Sequence, residues 1–254
     1  MPNVDLREKR FEQDIEEFMI TSGGLVQFSK QDPNGTWVYS QVFDRDKCLY
    51  IDVLTDFIKS TQPQAWKRYE TLYGEQSKAK LAARFDKEVQ DHGLIHVLRN
   101  GITDMGVKLK VCYFKPESEL NEKDNELYKK NIVSVTRQFY FSSSTNETID
   151  MVVSVNGIPV IALELKNQFT GQTYENAIAQ YKERDIREKI FRLNYRFLVY
   201  FAVDHYETWM TTVLKGENTY FLPFNQGSNG ADNSGGKGNP ANPNGSLRCL
   251  LSSV

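Results

Sequence analysis

Residues 148–168, TIDMVVSVNGIPVIALELKNQ, constrain the fold of this chain more than any other stretch. Two apolar runs of strand length flank Asn156-Gly157, a strong short-range signal for a β-hairpin. On the first run Asp150, Val152 and Ser154 share one side, with Met151, Val153 and Val155 opposite. On the second, Val160, Ala162, Glu164 and Lys166 point one way and Ile161, Leu163 and Leu165 the other, because side chains alternate along a strand. Each strand thus has an aliphatic face fit for a core and a face of small residues ending in charge. Ala162 and Ser154 on that second face leave room for something to approach. An ion pair buried for structure alone would be expensive and would not need the clearance.

The register makes a sharper demand. Asn-Gly signals a two-residue turn pairing Val155 with Ile158, and an unbroken ladder from there sets Asp150 against Leu163, on the wrong side from Glu164. For Asp150 to oppose Glu164, Val155 must face Pro159 across a loop of Asn156, Gly157 and Ile158, or an equivalent bulge must intervene. The expectation is therefore that a simple two-residue turn is absent.

Asp150, Glu164 and Lys166 placed together suit one chemistry. Cutting a phosphodiester needs a Lewis acid on the phosphate, an activated water and help for the leaving oxygen. Magnesium is held by one or two carboxylates plus substrate oxygens, and a neighbouring lysine orients the water or offsets charge on the phosphate. An E-x-K on a strand carries little alone, since acids and lysines alternate on many exposed strands. The Asp across a turn signal adds to it.

The rest of the chain supplies a frame. Phe11, Ile15, Phe18 and Met19 recur at helical spacing, so residues 11–20 are expected to form a helix that Gly23-Gly24 ends. Glu12 and Glu16 lie beside its apolar stripe, either as a solvated acidic face or with one leaning toward the metal. Residues 31–92 read as a polar helical insertion anchored by aromatic and aliphatic residues such as Trp37, Phe57, Trp66 and Leu72, and His92 and His96 lack companions at metal-ligand spacing. Residues 107–113 alternate as a half-exposed strand, residues 132–141 form another, and 174–189 read as a helix carrying Asn176, Gln180 and Arg184 on one face. Residues 196–203 form an apolar strand, so strand, helix and strand imply a parallel crossover and a mixed sheet. Between 181 and 196, Lys182, Arg184, Arg187, Lys189, Arg192 and Arg196 outnumber Glu183, Asp185 and Glu188, as a phosphate-tracking surface would require or as alternating charges on a helix would give.

Over 254 residues the formal net charge is −2, so nucleic-acid contact must rest on local basic patches or bound metal. Cys48, Cys112 and Cys249 are too scattered for a zinc site and read as reduced thiols of a cytoplasmic protein. No apolar run is long enough to span a bilayer, and the N-terminus lacks the apolar core of a signal peptide. Residues 1–224 are read as one domain. Residues 225–254 begin with a Gly-, Asn- and Pro-rich tract read as a loop or linker, and the GADNSGGKG within it has the wrong spacing for a phosphate-binding loop.

At these residues the chain also resembles a known family, the restriction (motor) subunit of type I restriction-modification enzymes, HsdR, at its N-terminal nuclease domain. The resemblance lies in IDMVVSVNGIPVIALELKN, NAIAQYKERD, FLVYFAVD, MTTVLKGENTYFLPFN and GNP at 238–240, with FEQDIEEFMI at 11–20 like the opening helix. It implies the PD-(D/E)xK fold, an α/β domain with a mixed sheet flanked by helices. Asp150 and Glu164 would then be metal ligands, Lys166 the catalytic lysine, and Glu12 the early glutamate nearer the metal. The family's leading Pro is Ile149 here. Gln180 matches the Gln of a Q-x-x-x-Y motif whose Tyr position is Arg184, so Gln180, Arg184 and Lys182 would contact DNA or order the site. The implied cofactor is Mg2+, with ATP used only by a motor absent from this chain. The implied partners are double-stranded DNA, modification (methyltransferase) and specificity subunits, and C-terminal motor domains. A non-catalytic docking or DNA-gripping domain and a stand-alone nuclease such as a junction resolvase are the alternatives, the latter disfavoured by the FLPFN and GNP segments.

Overall fold

Phe11, Ile15 and Met19 do line the buried side of one helix, α1 (Asn3–Thr21), longer than its apolar repeat alone implies. The computed structural model describes residues 3–118 and 120–224. The proposed linker and the GNP segment lie outside these residues. After α1 come a short strand β1 (Val26–Gln27) and a hairpin of β2 (Ser29–Gln31) and β3 (Trp37–Tyr39). Asp32 builds the hairpin turn by accepting from the backbone N–H groups of Asn34 and Thr36. The helical insertion therefore starts later than residue 31, because β-prone Trp37, Val38 and Tyr39 take a strand first. It comprises α2 (Ile51–Thr61), α3 (Pro63–Tyr73), α4 (Ser77–His92) and α5 (Leu94–Asn100). Pro63 sits in the first turn of α3, where its missing N–H costs nothing. Most of the expected anchors are buried, but Leu72 is exposed.

A second small hairpin, β4 (Ile102–Asp104) with β5 (Val107–Leu109), stands apart from the main sheet. The half-exposed strand expected over 107–113 stops at Leu109, although Val111 and Cys112 remain buried beyond it. Helix α6 (Glu122–Lys129), capped by Asn121, precedes β6 (Val133–Tyr140). Then follow the central hairpin β7 (Thr148–Val155) and β8 (Ile158–Leu165), helix α7 (Tyr174–Glu183), and strands β9 (Val199–Val203), β10 (Thr208–Thr211) and β11 (Leu222–Pro223).

The main sheet has seven strands in the order β1-β6-β7-β8-β9-β10-β11. Strands β1 and β6, and β8 and β9, pair in parallel; the other neighbours are antiparallel, so the sheet is mixed and α7 is the crossover. One face packs Met151, Val153, Leu163, Leu165 and Val203 against α1. The other packs Val152, Val160, Ala162, Tyr200 and Ala202 into the larger core with α2 to α5 and α7. Both faces of the central hairpin are thus core. The clearance expected beside Ala162 and Ser154 is absent, since both are fully buried under the helical layer. No described helix is long and apolar enough to cross a membrane.

The central hairpin combines a two-residue turn with a bulge. Asn156 and Gly157 both take positive φ, 51° and 83°, the pattern of a type I′ turn, and Val155 pairs with Ile158. The three-residue loop is not formed. Instead Ser154 pairs with Pro159 and Val153 with Ile161, leaving Val160 as the extra residue. Beyond this bulge the pairs are Val152–Ala162 and Met151–Leu163, and the same register continued sets Asp150 opposite Glu164.

Candidate active site

Asp150 and Glu164 meet at the end of the central hairpin because the bulge at Val160 shifts β8 by one residue. The carboxylate of Asp150 accepts the backbone N–H of Leu165 at 2.8 Å. Lys166, the next residue, brings Nζ to 4.0 Å from Asp150 Oδ2. The side chains of Asp150 and Lys166 keep 14% and 13% of their surface, so this pair lies at a partly open rim. Glu164 lies beneath it, with no exposed surface.

Arg184 neutralises one side of Glu164. Helix α7 ends at Glu183, short of the expected 189, and Arg184 leaves the helix with extended backbone (φ −59°, ψ 138°). Its Nη2 donates to Glu164 Oε1 at 2.7 Å and to the carbonyl of Thr148, while Nη1 donates to Glu147 at 3.1 Å. The other oxygen, Glu164 Oε2, is buried without a hydrogen-bond partner among the described residues. Burial, and then the nearby Asp150 carboxylate, push Glu164 well above the usual carboxylate range, with Arg184 and Lys166 pulling the other way. Burial works against the charge on Arg184, but Glu164, Glu147 and Tyr181 together outweigh it and raise the guanidinium.

Glu12 reaches the same region from the other layer. It and Glu16 are buried, which excludes the solvated acidic face, and both pair with Arg137, at 2.9 and 3.3 Å. Burial raises Glu12 to about 7; Asp150 adds to the rise, while Arg137 and Gln138 oppose it. The link is a twist in β6. Gln138 adopts positive φ (47°), and neighbours of equal parity, Arg137 and Phe139, turn to opposite layers. Across from it Met151 and Ile149 do the same, so the strand turns over at Asp150. Asp150 thereby lies between a glutamate of each layer.

An orphaned buried carboxylate oxygen, a second carboxylate at the rim and mutual repulsion between them fit a hard divalent cation with oxygen ligands. Asp150 and Glu164 would hold it. No three His, Cys, Asp or Glu side chains among the described residues form a ready metal-holding group. Two protein carboxylates completed by substrate oxygens and water are the pattern Mg2+ accepts. Glu12 Oε2 accepts from Arg137 at 2.9 Å. His92 and His96 stack on each other at 4.9 Å beside Glu88, away from this cluster.

Half of the basic run is drawn into the fold, while Lys182 is half-buried and Arg187 and Arg192 are exposed. Arg184 is inside the site, Lys189 pairs with Asp86, and Arg196 is fully buried against the carbonyls of Lys47, Cys48 and Tyr195. Gln180 and Lys182 are half-buried on α7 and take no part in the ion pairs around Glu164. Arg137, Gln138 and Glu147 escaped the sequence. Of these, Arg137 left a signal: a charged residue at a core-facing position of an otherwise apolar strand calls for a buried partner.

A mixed sheet between helical layers, with two carboxylates and a lysine converging at the end of its central hairpin, defines a restriction-endonuclease-like domain. The family model described as type I restriction enzyme R protein N terminus matches residues 59–219, and the chain belongs to that family. The matched span contains Asp150, Glu164, Lys166, Gln180 and Arg184, while α1 with Glu12 precedes it. Comparison with curated proteins gave no match.

Proposed function

We propose that this domain is the Mg2+-dependent DNA endonuclease module of a type I restriction-modification enzyme, hydrolysing phosphodiester bonds of unmodified foreign DNA. The observation that carries this is the unpartnered, buried Oε2 of Glu164 beneath the Asp150–Lys166 pair. Bound Mg2+ would polarise the scissile phosphate and make water nucleophilic at neutral pH. Asp150 and Glu164 would hold it. Lys166, an ammonium at the rim, orients the attacking water and offsets charge gathering on the phosphate. Arg184 holds Glu164 in place, its planar fork spanning Glu164, Glu147 and the Thr148 carbonyl. Gln180, on the face of α7 that leads to Arg184, orders the site, and Lys182, on the opposite side of the same helix, contacts DNA. Modification and specificity subunits supply target recognition, and ATP-driven motor domains of the same subunit couple cutting to translocation.

One observation favours a second role. Arg184 already compensates Glu164, as it would in a purely structural ion pair of a non-catalytic domain that docks partners or grips DNA. Glu164→Ala in the full-length subunit, assembled with its modification and specificity partners, separates the two. Plasmid cleavage in Mg2+ is lost while DNA-stimulated ATP hydrolysis continues if the domain is the nuclease. Cleavage equal to wild type removes the catalytic assignment and leaves docking.

A further inference from the structure

A cleft of 370 Å³ is lined by Arg10, Phe11, Asp14, Asn167, Phe169 and His205. Its volume lies in the range of small-ligand sites, roughly 300–1,000 Å³. Two of its walls continue from the site, since Phe11 precedes Glu12 and Asn167 follows Lys166. His205 stacks on Phe11 with ring centroids 4.1 Å apart, and Phe169 meets the other side of the cluster edge-on at 5.4 Å.

Phe169 is unusual for a side chain at a cleft mouth. It is 69% exposed, yet its turn (Gln168–Thr170) is tightly held. Asn167 Oδ1 accepts the Phe169 N–H at 2.9 Å, Thr170 Oγ1 donates to the Asn167 carbonyl, and Gln168 Nε2 donates to Asp204 at 3.0 Å. An aromatic ring presented to solvent on an anchored turn loses little further freedom when a flat ligand stacks on it. His205 Nδ1 is buried without a hydrogen-bond partner among the described residues, a polar atom left over at the back of the cleft. Arg10, 82% exposed at the rim and only loosely paired with Asp14 at 3.9 Å, can swing to a phosphate.

We infer that this cleft is a stacking site for one unpaired nucleobase of the strand whose phosphate lies at Lys166. Aromatic rings stack any base without reading its edge, and a neighbouring arginine tracks the backbone. A duplex keeps its bases stacked on each other and cannot offer one, so the site selects DNA that is frayed or opened next to the cut. The inference rests on the nuclease reading above and adds the form of the substrate.

The test uses the 254-residue chain without divalent metal and a short single strand carrying 2-aminopurine, whose fluorescence falls on stacking. Wild type is expected to quench the single strand and to leave a fully paired duplex unchanged. Phe169→Ala abolishes the quenching and weakens single-strand binding by about tenfold, the loss of one stacked base, and Phe169→Tyr restores both. Quenching by Phe169→Ala equal to wild type, or equal quenching of duplex and single strand, overturns the stacking site. Parallel cleavage by the assembled Glu164→Ala enzyme keeps the two ideas separate. Cutting lost in that variant while Phe169→Ala still quenches sinks the stacking site alone. Cutting that survives it removes the nuclease reading and the stacking site together.

Discussion

At the scale of single residues, Glu164 and Arg184 are each other's main support. Removing one partner of a buried pair strands the other's charge, so Arg184→Ala is expected to cost about 3–5 kcal/mol of stability. The double variant Glu164→Gln with Arg184→Met buries no charge and should recover much of that loss. Urea titrations of the two variants check this; equal losses would mean that Glu164 is not held by Arg184. The crowded carboxylates also set a pH dependence. Glu12 rises from 4.5 to about 7 in the folded chain, and Glu164 is raised as well. Below 4.5 both folded and unfolded chains hold the Glu12 proton and nothing is lost. Between 4.5 and about 7 the unfolded chain sheds it first, so stability falls as pH rises through that window, by no more than about 3 kcal/mol for Glu12. A cation that binds the ionised carboxylates reverses the loss. Mg2+ should therefore raise the melting temperature more at about pH 8 than at about pH 5.5, and chelation should remove the difference. A shift independent of pH would separate Mg2+ binding from these acids.

At the scale of elements, the β7–β8 hairpin carries the site through two devices of unequal visibility. Asn156-Gly157 announced the turn in the sequence. Asn156 also accepts from the Ile132 N–H and donates to the Val111 carbonyl, which fastens the turn to the segments after β5 and before β6. Gly157 is confined further: a Cβ there would lie 2.5 Å from the Tyr50 carbonyl oxygen, at φ 83°. Gly157→Ala should destabilise the domain by well over 1 kcal/mol, since backbone conformation and space both refuse the methyl. A melting temperature within a degree or so of wild type, measured by calorimetry, would show that the turn yields. The bulge at Val160 had a fainter signature: Pro159, a residue that sheet interiors accept only at strand starts or bulges. Alternation along PVIALEL is unbroken, so the need to bring Asp150 to Glu164 was the plainer pointer to a shift. Helix α7 ended early for a similar reason. Periodicity runs on past Glu183, but Glu164 draws Arg184 out of helical geometry into the site, a tertiary demand that a local pattern does not contain. The strand, helix, strand order and the mixed sheet were legible because they follow from strand length and spacing alone.

At the scale of the molecule, charge is spent inside rather than displayed. Arg196 is buried between the rings of Phe85 and Tyr195 and bonds the loop before α2, tying the helical layer to the approach to β9. Arg137 ties α1 to β6, and Arg184 ties the end of α7 to β7 and β8. Half of a run that looked in sequence like a phosphate-tracking strip is thus a set of internal fasteners. Of its six cations, Arg184, Lys189 and Arg196 are committed within the fold, and Arg187 is paired with Asp185. With a net charge of −2, little is left to neutralise a DNA backbone over distance. Each neutralised phosphate contributes about −0.9 to the slope of log affinity against log salt. On the proposed function, with few free cations such as Lys182 and Arg10 to meet DNA, the expected slope in metal-free buffer is about −2 or shallower. Fluorescence anisotropy of a labelled duplex over a salt series measures it. A slope near −5 would mean that the run does track the backbone, and that its internal ion pairs open to do so. A shallow slope assigns grip on DNA to other parts of a larger assembly and leaves this domain to position one phosphate at Lys166.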